Sequence, residues 1–232
     1  MPPETQRLEL SCSKSEVNYD MKREIRIAIP SKGRLKQPSI QVLHRAGINI
    51  LEEKRAYISK TSNSRFEAVF ARAFDVPVYV HYGAVDLGIT GHDLILEREA
   101  DVHELLDLGF GECELVVAAL ENSEICSIND VPAVVRVATE YPNLSRKYFE
   151  GLGRQVEILE IRGTSELAPK LGLAQIIVDV SSTGETLQKN NLRVIAPILR
   201  STCRLACNKI AYRTFENEIN EFLGRLRRGG SQ

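Results

Sequence analysis

A dense run of hydroxyl-bearing residues follows an apolar stretch in the second half of the sequence. Residues 179–186 read DVSSTGET and come directly after AQIIV. Backbone N–H groups at a helix start can surround a phosphate monoester together with such hydroxyls, while a leading carboxylate accepts hydrogen bonds from ribose hydroxyls. The pattern predicts a phosphosugar site, with an ordinary hydroxyl-capped helix start as the alternative. The expected binding residues are Asp179, Ser181, Ser182, Thr183, Gly184 and Thr186.

A short basic turn is the second candidate for chemistry. Lys32 and Arg34 flank Gly33, after the alternating apolar residues of 25–29 and before a helical pattern. Glycine lets the backbone approach a ligand closely, and the two cations can reach phosphate oxygens. A solvated basic turn is the alternative interpretation.

Two further loops carry polar groups at predicted strand ends. In GITGHD, the two glycines, Gly88 and Gly91, can admit a flat ligand, and Asp93 can either contact that ligand or cap the following helix. In RGTSELAP, Arg162 or Glu166 can face a ligand. The sequence contains neither the G-x-x-x-x-G-K-[ST] pattern of P-loop nucleotide sites nor the G-x-G-x-x-G pattern of dinucleotide sites.

Composition limits the class of protein that these loops can serve. The chain has 232 residues, of which 43% are hydrophobic and 26% charged, with a net charge of −1. This composition is globular, and the balanced charge argues against nucleic acid or an anionic membrane as a partner. The apolar runs are too short for a membrane helix, and the polar N-terminus lacks the apolar region of a secretory signal. Five cysteines without paired spacing predict reduced thiols in a cytoplasmic protein with no structural metal site.

The elements that must position these loops alternate between strand and helix patterns. Residues 1–22 are polar and aperiodic, which predicts a disordered leader. Beyond them, period-2 apolar segments are each followed by turn residues and a helical pattern, and a looser stretch near residues 121–132 suggests a domain boundary. We therefore expect an α/β fold with mainly parallel sheets, in which ligands bind at the carboxyl ends of the strands. The last apolar stripe, from Phe215 to Leu226, is expected to be core.

Several sequence blocks in a fixed order resemble the ATP phosphoribosyltransferase family of histidine biosynthesis. The blocks are IAIPSKGRL, FDVPVYVHYGAVDLGITGHDLILE, VATEYPN, RGTSELAPKLGLAQIIVDVSSTGETL and NKIAYRT, which span about residues 24–214. The resemblance implies that the chain transfers the phosphoribosyl group of 5-phosphoribosyl 1-diphosphate to N1 of ATP. It also implies that Mg²⁺ takes part, bound mainly through substrate phosphates.

Residue roles follow from the resemblance by position. Arg34, Lys32 and Arg55 are the expected catalytic cations beside the leaving diphosphate. Residues 179–186 would hold the ribose hydroxyls and the 5-phosphate, and Glu140 in VATEYPN would touch either substrate. Gly91 and Asp93 complete the expected substrate-binding set.

The resemblance also implies a fold of two α/β lobes like type II periplasmic binding proteins, with the active site in the cleft between the lobes. The expected first lobe comprises residues 23–117 and 204–232, and residues 118–203 form the second lobe, which carries the phosphoribosyl loop. The family's long form has an additional C-terminal regulatory domain. This chain resembles the short form, which implies a separate histidyl-tRNA-synthetase-like regulatory subunit in a hetero-oligomer, expected to be a hetero-octamer, and a homodimer of catalytic chains.

Two other functions remain open at this point. The first is a two-lobe ligand-binding protein without chemistry, although cations at several strand ends argue against a simple sensor. The second is a phosphoribosyltransferase that acts on a free base, which the DVSSTGET loop alone would permit.

Overall fold

The computed structural model of the chain describes residues 23–51 and 56–229. The predicted leader, residues 1–22, and the predicted catalytic residue Arg55 lie outside these ranges. The described chain forms two sheets, each covered by helices.

The first sheet is built from both ends of the described chain. Its strands are β1 (Ile25–Pro30), β2 (Ile58–Lys60), β3 (Phe66–Ala71), β4 (Leu87–Gly91), β5 (His103–Asp107) and β11 (Cys203–Cys207), in the order β2-β3-β1-β4-β11-β5. Its helices are α1 (Lys36–Arg45), α2 (Val76–His81), α3 (His92–Glu97), α6 (Lys209–Thr214) and α7 (Glu216–Gly229).

The second sheet is formed by one contiguous segment of the chain, which lies between the two segments that form the first sheet. Its strands are β6 (Cys113–Leu120), β7 (Val134–Thr139), β8 (Gln155–Glu160), β9 (Ile176–Ser181) and β10 (Leu192–Ser201), in the order β10-β6-β9-β7-β8. Its helices are α4 (Pro142–Gly151) and α5 (Glu185–Lys189), with short 3₁₀ turns at Ile128–Asp130 and Ser165–Leu167.

Strand direction differs from the expectation of mainly parallel sheets. β1 pairs in parallel with β3 and β4, and β7 pairs in parallel with β8 and β9. In contrast, β11 runs antiparallel to β4 and β5, and β6 runs antiparallel to β9 and β10. These are the strands that enter one sheet from the other, so no helical crossover brings them back in parallel.

The chain crosses between the lobes at two places. It leaves the first sheet after Asp107 and enters the second at Cys113, and it returns through Thr202, between β10 and β11. The predicted lobe boundary at residue 117 falls inside β6, all of which belongs to the second sheet. Helix α7 returns to the first lobe, where Phe222 of this helix and Phe215 just before it are buried in the core, as expected from the pattern.

Buried polar contacts join the lobes next to the crossings. The backbone N–H groups of Asn143 and Leu144, in the first turn of α4, donate to the Glu97 carboxylate at 3.1 and 3.0 Å. Glu97 ends α3 in the first lobe and is only 3% exposed. Burial raises the pKa of the Glu97 carboxyl, and the two N–H groups oppose this rise. The first lobe therefore supplies the cap of a second-lobe helix.

The helices of residues 23–51 and 56–229 are all too short or too polar to span a lipid bilayer.

Removing the Glu97 carboxylate should destabilise the protein. In Glu97→Ala, two N–H groups at the start of α4 lose a charged acceptor, so the free energy of unfolding should fall by about 1–3 kcal/mol. Urea denaturation measures the change. Glu150→Ala, which removes an exposed carboxylate from α4, is the control and should change stability by less than about 0.5 kcal/mol. Equal effects of the two substitutions would show that the contact between the lobes contributes no stability.

Candidate functional site

The run of hydroxyl-bearing residues forms one side of a cavity at the carboxyl end of β9. The strand ends at Ser181, and α5 begins at Glu185 after Gly184, whose φ of +77° lies in the left-handed region that favours glycine. The cavity has a volume of about 250 Å³. Glu140 lines the cavity, and so does every predicted binding residue of this loop. These loop residues are Asp179, Ser181, Ser182, Thr183, Gly184 and Thr186.

Asp179 lines this cavity, and both of its carboxylate oxygens accept hydrogen bonds within the protein. The Val180 N–H donates to Oδ1 at 2.7 Å, and the Ser165 hydroxyl donates to Oδ2. The pKa of Asp179 is raised to about 6, mainly by burial and also by the carboxylates of Glu166 and Glu140, while the two hydrogen bonds oppose this rise. The group therefore changes charge close to neutral pH.

The basic turn lies on the opposite wall, in the first lobe. Nη1 of Arg34 donates to the carbonyl oxygens of Gly111 and Glu112, each at 3.1 Å. These carbonyls belong to the segment that crosses between the lobes, so the guanidinium is held at the crossing. Lys32 and Arg34 are exposed, and both line a second cavity of about 180 Å³ that reaches Val180 of the second lobe.

A third and larger cavity, of about 500 Å³, connects the other two. It shares Glu140 and Gly163 with the cavity at the end of β9, which we call the phosphosugar cavity after its predicted ligand. It shares Lys32 and Phe74 with the cavity beside Arg34. Together they form one cleft between the lobes, which we call the interlobe cleft.

The two walls of the interlobe cleft differ in charge. The first-lobe wall carries four cations, Lys32, Arg34, Arg72 and Arg98, together with three carboxylates, Asp75, Asp93 and Glu97. The second-lobe wall carries the carboxylates of Glu140, Glu160, Glu166 and Asp179, together with Arg162, which is paired with Glu160 at 2.9 Å. A ligand with several phosphates is therefore attracted to the first-lobe side.

The structure gives Asp93 and Gly91 contacts within the protein. Asp93 is 4% exposed, and its carboxylate accepts hydrogen bonds from the hydroxyls of Tyr141 at 2.9 Å and Ser201 at 2.6 Å. A Cβ on Gly91 would overlap Oδ1 of Asp93, which gives the glycine a packing role. Both residues also line the cavity beside Arg34, so their contact with a substrate stays a prediction.

Some residues of the cleft were not assigned a role from the sequence. Arg72, Phe74 and Arg98 line the large cavity, and Ser165 lies behind Asp179. The sequence could have indicated Arg72 and Phe74, because they follow the carboxyl end of β3, a strand parallel to β1, and ligands bind at such strand ends. Within the part of the chain that the structure describes, no three His, Cys, Asp or Glu side chains are grouped as in a metal site.

Comparison with known proteins gives consistent results for sequence and structure. Residues 72–228 match the family model described as HisG, ATP phosphoribosyltransferase. An ATP phosphoribosyltransferase of Methanocaldococcus jannaschii is 45% identical over 203 residues, which cover 86% of this chain and 70% of that protein. The ATP phosphoribosyltransferase of Halothermothrix orenii is 42% identical over 206 residues, which cover 86% of this chain and 91% of that protein.

Solved structures show the same relationship at the level of the fold. A chain of the ATP phosphoribosyl transferase (HisG:HisZ) complex from Thermotoga maritima superimposes with a TM-score of 0.79 at 29% identity, covering 89% of this chain and 98% of that chain. The periplasmic aliphatic sulphonate binding protein SsuA of Escherichia coli superimposes with a TM-score of 0.57 at 17% identity, covering 90% of this chain and 73% of that chain. The second likeness concerns the fold alone, and it confirms the predicted two-lobe architecture.

The raised pKa of Asp179 predicts a pH-dependent stability. The pKa is about 6 in the folded chain and 3.8 ordinarily, so the folded state holds its proton more tightly. Stability associated with this group is therefore full below pH 4 and is lost as the pH rises through 6. Asp179→Asn does not titrate, and its unfolding free energy relative to wild type should rise between pH 4 and pH 7 by up to about 3 kcal/mol, less any solvent screening. Urea denaturation at both pH values measures this difference, and a difference that does not change with pH would contradict the assignment.

Proposed function

The chain belongs to the ATP phosphoribosyltransferase family, and from this premise we propose how its cleft carries out the reaction. The enzyme transfers the 5-phosphoribosyl group of 5-phosphoribosyl 1-diphosphate to N1 of ATP and releases diphosphate, the first step of histidine biosynthesis. Membership of this family decides against both a binding protein without chemistry and a transferase for free bases.

The phosphosugar cavity receives the 5-phosphate. The loop that lines it offers backbone N–H groups between β9 and α5 together with the hydroxyls of Ser181, Ser182, Thr183 and Thr186. Such a loop suits a phosphate monoester, whose oxygens are acceptors only. This convergence of donors on one cavity is the observation that carries the proposal.

Asp179 receives the ribose hydroxyls and so orients the anomeric carbon. Its carboxylate lines the same cavity, two residues before the hydroxyl-bearing loop. Hydroxyl donors favour the ionised carboxylate, so binding of the sugar lowers the pKa that burial has raised. With the phosphate and the ribose both held, C1 has a fixed position toward the first-lobe wall.

Arg34 and Lys32 stabilise the departing diphosphate. As the C1–O bond breaks, negative charge accumulates on the leaving oxygen, and a cation already held in place stabilises this charge without reorganisation. The two carbonyl contacts of Arg34 hold its guanidinium in that manner. Arg55 is proposed to act with them on the strength of the family resemblance, and it lies outside the described residues.

ATP occupies the large cavity between the lobes. Arg72 and Arg98 on the first-lobe wall are placed for its phosphates, and the Phe74 ring lines the same space for its base. Glu140 lines both the ATP cavity and the sugar cavity, which places it where the two substrates meet. The nucleophile is N1 of the adenine, so the reaction needs no nucleophilic side chain.

We propose that Mg²⁺ accompanies the diphosphate. The ion prefers oxygen ligands and retains several waters, so substrate phosphates suit it well. Glu140 is the protein carboxylate that faces the meeting point of the substrates and would face such an ion. When bound, Mg²⁺ neutralises part of the charge on the leaving diphosphate.

Two variants separate binding from catalysis in this scheme. Thr186→Ala removes a hydrogen bond to a charged phosphate, so the KM for 5-phosphoribosyl 1-diphosphate should rise about tenfold or more, with little change for ATP. Arg34→Ala removes a contact that strengthens in the transition state, so kcat should fall about 100-fold. Initial rates of diphosphate release measure both effects.

The control for these kinetics is Arg45→Ala, on the exposed end of α1, which should behave as wild type. Equal effects of Thr186→Ala on the KM values of both substrates would count against the phosphate loop. An Arg34→Ala variant that changes only KM would make Arg34 a binding residue and exclude its transition-state role.

We further propose that the chain works in the cytoplasm as a homodimer within a hetero-octamer, together with a histidyl-tRNA-synthetase-like regulatory subunit. The likeness to a chain of the Thermotoga maritima HisG:HisZ complex, over 98% of that chain, supports such a partner. Inhibition requires a second site whose ligand favours one global state, and in this proposal the partner supplies that site.

The regulatory proposal predicts histidine sensitivity that depends on the partner. Initial rates measured during a histidine titration should stay constant for the purified chain and should fall once the regulatory subunit is added. Strong inhibition of the chain alone at sub-millimolar histidine would contradict the proposal.

A further inference from the structure

We propose that Ser165 is a positioning residue that holds the Asp179 carboxylate in the orientation needed to receive both ribose hydroxyls. The inference rests on the proposed role of Asp179 as the ribose-binding group. Ser165 lies behind the carboxylate rather than in the lining of the phosphosugar cavity, so it acts through Asp179.

The backbone around Ser165 is fixed by its own turn. Ser165 is 1% exposed and begins the 3₁₀ turn Ser165–Leu167. The Ala168 N–H donates to the Ser165 carbonyl at 3.0 Å, and the Ala168 side chain is buried in a second-lobe core cluster with Ile177 of β9. The turn is therefore anchored to the strand that carries Asp179, and the Ser165 hydroxyl has a defined position relative to the carboxylate.

Each of the two carboxylate oxygens of Asp179 accepts one hydrogen bond from the protein. The Val180 N–H donates to Oδ1 at 2.7 Å, and the Ser165 hydroxyl donates to Oδ2. Each carboxylate oxygen has two acceptor positions, so each keeps one acceptor position beyond its protein donor. Adjacent hydroxyls of a ribose can each use one of these positions. Without Ser165, only Oδ1 would be held, and the carboxylate could rotate about its Cβ–Cγ bond.

The surrounding charges make this positioning necessary. Glu166 on the same turn and Glu140, just after β7, line the same cavity as Asp179, and Tyr141 before α4 interacts with it electrostatically. Both carboxylates disfavour a third negative charge and raise the pKa of Asp179, whereas the bond from Ser165 lowers it. Loss of that bond should therefore raise the pKa further, so that more of the carboxyl is protonated near neutral pH.

The test measures kcat/KM for 5-phosphoribosyl 1-diphosphate at saturating ATP, from pH 5.5 to pH 9, because this ratio reports groups of the enzyme–ATP complex before the sugar substrate binds. Ser165→Ala should raise the KM for the sugar substrate about tenfold at pH 7, leave the KM for ATP within about twofold, and move the acidic limb of the profile to higher pH. Ser165→Thr keeps the hydroxyl and should restore both values. Titration of the substrate's own phosphates is common to all variants and cancels in the comparison.

Asp179→Asn separates failure of this inference from failure of the proposed function. If Asp179→Asn leaves the KM for the sugar substrate unchanged, the ribose-binding role of Asp179 is wrong, and the inference falls with it. If Asp179→Asn raises that KM but Ser165→Ala behaves as wild type in KM and pH profile, only the positioning role is overturned.

A general structural defect gives a different result. A Ser165→Ala enzyme with raised KM values for both substrates and an unmoved pH profile would overturn the positioning role.

The double variant, Ser165→Ala with Asp179→Asn, adds a further criterion, since a residue that acts through Asp179 should have little effect once Asp179 is Asn. Additive losses in the double variant would contradict the inference. Ser165→Cys preserves the buried volume but supplies only a weak donor, so it should resemble Ser165→Ala even if the alanine variant folds poorly.

Discussion

The buried polar contacts between α3 and the start of α4 fix the position of one lobe relative to the other. Burial and the neighbouring Asp93 carboxylate raise the pKa of Tyr141, so its hydroxyl stays protonated and donates to Asp93. Asp93 also accepts from Ser201, at the point where the chain returns to the first lobe. Because unpaired charges in this location would be costly, the contacts define the spacing between the walls. The Tyr141 ring also contacts the Phe74 ring, at a centroid distance of 5.4 Å, and Phe74 lines the interlobe cleft. The contacts between the lobes therefore extend to the cleft.

These contacts between the lobes explain how a family of transferases can use the fold of binding proteins. A binding protein needs a cleft that encloses one ligand, whereas a transferase must bring two reacting atoms to a defined separation. Here the sugar loop lies on the second lobe and the basic turn on the first, and the segment that fixes Arg34 is itself a crossing between them. In the proposed function, the charge difference between the walls orients the diphosphate toward the first lobe.

Much of the fold and part of the site could be predicted from the sequence, and the reasons differ by element. The DVSSTGET loop and the SKGR turn are local patterns, and the structure places each beside the interlobe cleft. The short strands β2 and β5 carry little periodicity and were not anticipated, and the antiparallel pairing of β6 and β11 depends on which lobe each strand joins. Likewise, the contacts of Asp93 with Tyr141 and Ser201 span 48 and 108 residues, so no local pattern could distinguish them from a helix cap.

A crystal structure of the protein with 5-phosphoribosyl 1-diphosphate and Mg²⁺ tests most directly the claim that the two lobes divide the substrate between them. The account predicts the 5-phosphate on the backbone N–H groups of residues 182–186, both ribose hydroxyls on the Asp179 carboxylate, and the diphosphate directed across the cleft toward Arg34. A bound sugar whose diphosphate points away from the first lobe, or whose hydroxyls contact a group other than Asp179, would contradict it.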